Sequence, residues 1–289
     1  MKIPFFITDV FTNAPYSGNP LATFFDADKL TDTEMQNRAR EINFSETTFV
    51  YQGGSVNDGF TVRIFTPKAE IEFAGHPTLG TAYLINKHLV KQSAKQIILH
   101  LKTGDIKVDF QDDELWMQQK QPVFGKQVNF ELLATTLGLD DNDFDTNFPA
   151  EEVSTGLPFT IVALKNKKAL AKATVNIDAY NELFIKQVHA KGILIFCPES
   201  HAPDQQLATR VFVHYLGIPE DPATGSGSGC LGAWLVKNRY SNTSAIDIRI
   251  GQGYEMGRPS QLAVKAVQTD SGIDVRVGGK VYPVAKGWW

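Results

Sequence analysis

Two glycine-led segments have the residue types of a helix start that binds an anion. Residues 75–78 read Gly-His-Pro-Thr, and residues 224–227 read Thr-Gly-Ser-Gly. The first turn of a helix leaves backbone N–H groups unpaired and carries the positive end of the helix dipole. Small residues there let a ligand approach the backbone closely. We therefore expect both segments to grip an anionic group such as a carboxylate, the alternative being the ordinary use of glycine in turns and caps.

Four polar side chains in or near these segments are candidates for acid–base chemistry or substrate contact. Glu46 follows the first predicted helix. In a closed apolar cleft its pKa would rise and make it a useful general acid or base, whereas at an exposed strand end it would have no such role. His76 could hold a proton near neutral pH or only close the turn by hydrogen bonding. Asp221 and Ser226 could contact the substrate or stabilise the second helix start.

The elements that must position these residues alternate between strands and helices. Helices are predicted over residues 31–42, 77–90, 130–137, 179–189 and 226–237, and strands over 4–11, 21–25, 44–51, 60–65, 97–101, 106–110, 115–118, 159–164, 193–196, 209–216, 247–250, 262–267, 273–277 and 281–285. Thr31 and Glu34 have the spacing of a capping box at the first helix. The second and last helices are apolar on nearly every side, so both should be enclosed by other structure.

The two halves of the chain share a short pattern. In each half an Arg-x-Phe triplet precedes a glutamate, and a glycine five residues after that glutamate opens an apolar helix with a lysine at the same offset. The residues are Arg63, Phe65, Glu70, Gly75 and Lys87 in the first half and Arg210, Phe212, Glu220, Gly225 and Lys237 in the second. Duplication predicts two α/β halves, each a curved sheet around one central helix. Chance is the alternative, because matches this short are common.

Composition limits the class of protein. The 289 residues are 43% hydrophobic and 21% charged with a net charge of −4, which is typical of a globular protein of two domains or one large one. The sequence has no Lys/Arg-rich run of the kind that would predict nucleic-acid binding. Cys197 and Cys230 form neither a disulfide framework nor a zinc pattern, and the histidines lack metal-ligand spacing, so no metal is expected. No signal-peptide core or long apolar run is present, which predicts a cytoplasmic protein without a membrane partner.

One motif favours a different class of enzyme. Residues 227–232 match G-x-G-x-x-G, and Asp247 lies about 20 residues further on, as in nicotinamide-dependent oxidoreductases. The glycines, however, fall inside a predicted helix rather than between a strand and a helix, and they come late in the chain. An oxidoreductase is therefore the weaker alternative. Nucleophile-elbow, HExxH and Walker A sequences do not occur.

A series of short motifs spans essentially the whole chain. They are residues 9–12 (DVFT), 18–20 (GNP), 43–47 (NFSET), 65–67 (FTP), 74–80 (AGHPTLG), 220–226 (EDPATGS) and 257–260 (GRPS). In this order they resemble the PhzF-like isomerase family of phenazine biosynthesis, relatives of diaminopimelate epimerase. The resemblance implies an α+β fold of two pseudo-symmetric domains, each a mostly antiparallel or mixed sheet rolled around a central helix. The domains would be residues 1–118 and 119–278, with a last strand at about 279–289 returning to the first domain.

The resemblance also implies a site between the two domains. Its catalytic residues would be Glu46, with His76 and Asp221 beside the substrate. Its substrate contacts would come from Asn19, Gly75, Thr224, Gly225 and Ser226. A homodimer is also implied, since homodimers are common in the family.

The same resemblance narrows the reaction. Diaminopimelate epimerase uses two facing cysteines at its helix starts, but here those neighbourhoods read Ala74-Gly75 and Thr224-Gly225, so two-thiol racemisation is not expected. One carboxylate instead suits a cofactor-independent allylic hydrogen shift on a small carboxylate-bearing substrate. A non-catalytic protein that binds a small ligand in the same cleft is a second alternative.

Overall fold

The computed structural model describes residues 2–90 and 94–289, which form two compact units. The first unit is Met1–Gln118 with Gly278–Trp289, and the second is Gln119–Val277. No helix within the described ranges is long and apolar enough to cross a membrane.

The strands and helices follow one another in the order that the sequence predicts, with several additions. The strands are β1 (Pro4–Val10), β2 (Asn19–Phe24), β3 (Thr47–Val50), β4 (Phe60–Phe65), β5 (Glu70–Ile71), β6 (Gln96–Leu101), β7 (Gly104–Gln111), β8 (Glu114–Gln118), β9 (Val123–Gln127), β10 (Glu151–Ser154), β11 (Pro158–Ala163), β12 (Gly192–Cys197), β13 (Leu207–Val213), β14 (Ile218–Asp221), β15 (Ala245–Gln252), β16 (Ser260–Thr269), β17 (Gly272–Gly279) and β18 (Val281–Trp288). The α-helices are α1 (Asp32–Ile42), α2 (Gly75–His88), α3 (Phe130–Leu137), α4 (Lys167–Lys172), α5 (Ile177–Ala179), α6 (Ile185–Gln187) and α7 (Gly225–Lys237).

The first unit is a mixed sheet around α2. Its strand order is β18–β1–β2–β3–β4–β6–β7–β8, in which the β2–β3 and β4–β6 pairs are parallel and the others antiparallel. Helix α2 contacts strands along most of this sheet and is buried through most of its length. A Cβ atom on Gly80 would lie 2.6 Å from Leu21 and 2.9 Å from Val10, so only glycine allows this close approach of helix and sheet.

The second unit repeats this arrangement around α7. Its strand order is β9–β10–β11–β12–β13–β15–β16, with the β11–β12 and β13–β15 pairs parallel. From β1 to β7 and from β10 to β16, antiparallel and parallel pairings alternate in the same series. Each sheet therefore has the same topology around one enclosed helix, and the predicted fold class is confirmed.

The arginine–glutamate pattern has the same geometry in both units. Arg63 makes two hydrogen bonds to Glu70, of 2.7 and 2.8 Å, and Arg210 makes two of 2.8 Å to Glu220. Each guanidinium also lies over the phenylalanine two residues along, at 5.1 Å in the first unit and 5.0 Å in the second. The pattern is thus a structural repeat that fixes the short strand leading into each central helix.

Several predicted boundaries differ from those observed. The second helix begins at Gly75 rather than Pro77, because the first N–H groups of a helix need no partner within it and proline is tolerated there. The predicted 179–189 helix is a chain of short turns, α5 and α6 joined by a π-helical turn at Tyr180–Phe184. The 209–216 strand ends at Val213 and continues as a 3-10 turn. The capping box of α1 is confirmed.

Candidate active site

Glu46 lies between α1 and β3 in the first unit. Asn43 ends α1 in the left-handed conformation, with a φ of 57°, and the chain then turns into β3 at Thr47. The Glu46 side chain is 14% exposed. This placement agrees with the enclosed rather than the exposed interpretation of Glu46.

His76 lies in the first turn of α2 and faces Glu46. Its side chain is 6% exposed, and its Nε2 atom is 3.5 Å from Oε2 of Glu46. The ring hydrogen-bonds to the backbone of Pro20, whose carbonyl can only accept. Among residues 2–90 and 94–289, Nε2 makes no hydrogen bond, so Nδ1 donates to Pro20. In the neutral ring the lone pair of Nε2 therefore faces the Glu46 carboxyl group.

Buried hydroxyl groups hold α2 against the strands that carry this pair. The Thr81 hydroxyl on α2 donates to Thr48 on β3 over 2.8 Å, and Thr48 lies 2.7 Å from the Thr23 hydroxyl on β2. All three residues are fully buried. Because such a network has little freedom to rearrange, it fixes the distance between His76 on α2 and Glu46 before β3.

Burial lowers the pKa of His76 to about 3, which outweighs the opposing effect of its hydrogen bond to Pro20. Of the two alternatives for His76, the hydrogen bond to Pro20 and the lowered pKa favour a hydrogen-bonding residue over one that holds a proton near neutral pH. Taking a charged imidazolium out of water is unfavourable, so the buried ring stays neutral. A neutral His76 can accept a hydrogen bond from protonated Glu46 but does not pair with it as a cation.

The buried His76 should make the protein acid-sensitive. Its pKa is about 3 in the folded state and near 6.5 in the unfolded chain. Below pH 6.5 only the unfolded chain takes up this proton, so the free energy of unfolding should fall by about 1.4 kcal/mol per pH unit toward pH 3. Urea unfolding at pH 7 and pH 5 should show a loss of about 2 kcal/mol from this group.

His76→Gln is the variant for that measurement, since Gln does not titrate and can still donate to Pro20. It should flatten the stability profile between pH 6.5 and pH 4. His214→Gln is the matched control, because His214 is only half-buried and its pKa is lowered by burial to a lesser extent. An unchanged slope in His76→Gln would show that His76 is protonated in the fold.

Asn19 and Gly75 are each next in sequence to a residue of this site, Asn19 to Pro20 and Gly75 to His76. Asn19 is fully buried at the start of β2, next to Pro20. Gly75 opens α2, where the N-cap Ala74 has no side chain to cap the helix and the first turn has no acidic residue. The first N–H groups of α2 are thus left for another acceptor.

Asp221 and Thr224 are brought together in the second unit. The Thr224 hydroxyl donates to Oδ2 of Asp221 over 2.5 Å and accepts from Nε2 of Gln252 over 3.0 Å. Gln252 also donates to the backbone carbonyl of Asp221 and accepts from the backbone N–H of Thr224. Both polar groups of Thr224 are therefore engaged within the protein, and they orient the Asp221 carboxylate.

Gly225 and Ser226 open α7 directly after this network. Ser226 is 7% exposed, and the helix has no side-chain cap and no acidic residue in its first turn. Gly253, with a φ of 77°, brings the backbone within van der Waals reach of Pro222, and a Cβ there would lie 2.6 Å from the Pro222 carbonyl oxygen. Glycine at 253 therefore allows Gln252 to reach Asp221.

Two groups of the candidate site, the Gln252 side chain and the Pro20 carbonyl, were not predicted from the sequence. Gln252 is far from Thr224 along the chain, with no spacing rule to connect them, and the Pro20 contribution is a backbone carbonyl. The glycines on either side of Gln252, Gly251 at the end of β15 and Gly253 just after it, were the one available signal, since glycines indicate close backbone approach.

The alternative chemistries find little support at these residues. Burial raises the pKa of the Cys197 and Cys230 thiols to about 11, so neither supplies a thiolate base. The glycines of the G-x-G-x-x-G match lie within α7 and pack against side chains, Val264 among them. Asp247 lies on β15 and pairs with Arg249. Within the two described stretches, no cluster of three or more His, Cys, Asp or Glu residues could hold a metal ion.

A sheet wrapped around one buried helix, present twice in one chain, defines the diaminopimelate epimerase-like class of folds. Comparison with known proteins agrees. A hydroxyproline epimerase from Agrobacterium vitis superposes with a TM-score of 0.59 at 10% identity, covering 99% of this chain and 92% of that one. At that identity the likeness concerns the fold alone.

The chain belongs to the phenazine biosynthesis-like protein family (PhzC-PhzF), whose sequence profile matches residues 8–287. It is 32% identical over 290 residues to trans-2,3-dihydro-3-hydroxyanthranilate isomerase of Pseudomonas chlororaphis, covering 97% of each chain. A PhzF-family phenazine biosynthesis protein from Bacillus anthracis superposes with a TM-score of 0.91 at 27% identity, covering 100% of this chain and 99% of that one. The predicted family resemblance is confirmed.

Proposed function

We propose that this protein is a cofactor-independent isomerase that moves a hydrogen between two carbon atoms of a small carboxylate-bearing substrate, with Glu46 as the acid–base group. The observation that carries the proposal is the Glu46–His76 pair. A largely enclosed carboxyl group lies 3.5 Å from the Nε2 atom of a buried imidazole, and the bond to Pro20 leaves that atom as an acceptor. The pair is therefore suited to hold one proton between two half-reactions.

The proposed reaction is balanced without an external reagent. The Glu46 carboxylate removes a proton from a carbon next to a double bond, and the C–H electron pair spreads through the conjugated system. The protonated Glu46 can donate to Nε2 of His76 after a small rotation, which stabilises the carboxylic acid between the two steps; in D2O its acidic proton exchanges for deuterium before the return step. Glu46 then returns the proton to a different carbon, so the substrate gains and loses nothing and only its double bond moves.

Backbone donors would stabilise the delocalised anion between the two steps. The uncapped starts of α2 and α7 present N–H groups at Gly75, Gly225 and Ser226. We propose that they, with Asn19 and the oriented Asp221, contact the substrate during the same reaction. Fixed dipoles aimed at developing charge give the largest rate contribution in many enzymes.

The compound named for the Pseudomonas chlororaphis relative is the first to test. Purified protein is mixed with trans-2,3-dihydro-3-hydroxyanthranilate in D2O and followed by proton NMR. We expect a shifted double bond and one deuterium at the carbon that receives the proton. If calorimetry shows that the compound binds while its spectrum stays unchanged, the protein is a ligand-binding protein rather than an isomerase for this compound.

A further inference from the structure

A buried amide beside α7 has no role in the site described so far. Gln119 is 7% exposed, and its backbone N–H is anchored to the Val275 carbonyl at 2.9 Å. Its side-chain Nε2 nevertheless lacks a hydrogen-bond partner within the part of the chain that the structure describes. Burying an amide NH2 group without an acceptor is unfavourable, so its presence calls for a reason.

The amide lies on the helix face that also carries Ser226. A Cβ atom on Gly229 would be 3.1 Å from Cγ and 3.2 Å from Oε1 of Gln119, so the Gln119 side chain rests against the α7 backbone at that point. Ser226 is three residues before Gly229 and therefore shares its face of the helix, one turn closer to the N-terminus. The unpaired amide of Gln119 thus lies beside α7, about one turn from the uncapped N–H groups at the start of the helix.

The loop between β10 and β11 also lies against this part of α7. Thr155, 4% exposed, would lie 3.2 Å from the same Cβ position, and its hydroxyl is 3.6 Å from the Cys230 thiol. It lies between β10 and β11. In the structural repeat that loop corresponds to the one between β1 and β2, which leads to the candidate residue Asn19. Equivalent loops therefore carry or adjoin a buried polar residue in each unit, Thr155 in the second and Asn19 in the first.

We infer that Gln119 is a substrate-binding residue whose Nε2 donates to the substrate carboxylate, together with the first N–H groups of α7. Every group in this set is a neutral donor, which suits a carboxylate oxygen and discriminates against the corresponding neutral amide. The inference rests on the proposed function for the identity of the ligand. The inference goes beyond the proposed function because it places the substrate carboxylate in the second unit, at Gln119 and the start of α7.

The test measures ligand binding rather than turnover. Full-length Glu46→Gln protein serves as the parent, and isothermal calorimetry measures its affinity for anthranilate and for 2-aminobenzamide, which lacks the negative charge. Adding Gln119→Leu should weaken anthranilate binding roughly ten- to a hundredfold, the effect of one hydrogen bond to a charged group. Binding of 2-aminobenzamide should change much less.

Thermal stability separates this role from a structural one. Leu fills similar space without an unpaired donor, so Gln119→Leu should keep or raise Tm while it weakens anthranilate binding. Gly229→Ala offers a second variant, since its methyl group would displace the amide without deleting it. Gln121→Leu is the control, because Gln121 is exposed and bonds to Asp274, and it should leave the affinity unchanged.

Several results would overturn the assignment. They are an anthranilate affinity within twofold of the parent, an equal loss for both compounds, a lowered Tm in Gln119→Leu, or no anthranilate binding by the parent. Failure of the proposed function would look different. In that case the wild-type protein would catalyse no hydrogen exchange, while the Gln119-dependent preference for anthranilate would persist.

Discussion

Replacing Glu46 with Gln should lower the rate of hydrogen exchange by roughly 10²–10⁴-fold, the usual contribution of a positioned general acid or base. Gln has nearly the same shape but cannot take up a proton from carbon. Glu46 lies in a short connection before β3, and because His76 is neutral the change breaks no ion pair between these two residues. Far-UV circular dichroism and Tm should therefore match the wild-type protein.

Glu41→Gln is the matched control for that experiment. Glu41 is exposed near the end of α1, so its substitution should leave the exchange rate unchanged. Deuterium incorporation measured by NMR gives the rate for both variants. A Glu46→Gln protein that still exchanges hydrogen at the wild-type rate would remove Glu46 from the reaction and, with it, the proposed mechanism.

Arg210→Met should cost about 3–5 kcal/mol of unfolding free energy, the usual effect of breaking a buried ion pair from one side. Arg210 is 8% exposed and makes two hydrogen bonds to Glu220. It also donates to the backbone carbonyls of Leu170, Ala171 and Ala173, at 3.0, 3.4 and 2.7 Å. The substitution leaves a carboxylate and three carbonyls without this donor. Because Glu220 precedes Asp221, substrate affinity should fall as well.

The structural repeat supplies the comparison. Arg63 occupies the equivalent place, but its side chain is 20% exposed and Glu70 keeps a second cation, Lys102, at 2.6 Å. Arg63→Met should therefore cost clearly less, about 1–2 kcal/mol. The double variant Arg210→Met/Glu220→Leu should regain much of the lost stability, since no charge is then left unpaired. Equal losses in the two single variants, measured by urea unfolding, would contradict this account.

Patterns formed by residues close in sequence predicted the fold better than they predicted the site. The capping box at Thr31 and the repeated Arg-x-Phe and glutamate pattern depend on residues close in sequence, and both have counterparts in the structure. The residues alone left Glu46 open between an enclosed base and an exposed strand end, because burial is set by the whole sheet. The residues alone also left open, for the same reason, whether His76 holds a proton or only forms a hydrogen bond.

The contacts of the Gln252 and Gln119 side chains could not be predicted from the sequence, for a related reason. Gln252 meets Thr224 across 28 residues, and Gln119 meets Gly229 across a still longer stretch. No periodicity or motif connects such pairs, and glutamine has no strong local preference that would mark it. The interior of the second unit brings these residues together only after β15 and α7 have packed.

The pairing of β18 with β1 has a consequence for biosynthesis. The register runs from Pro4 opposite Trp288 to Val10 opposite Val281, so the sheet around α2, the helix that carries His76, lacks this edge strand until β18 has left the ribosome. The second unit is one uninterrupted segment and can mature earlier. During translation the second unit should thus fold before the first. The Glu46–His76 pair should be assembled only after β18 has been translated.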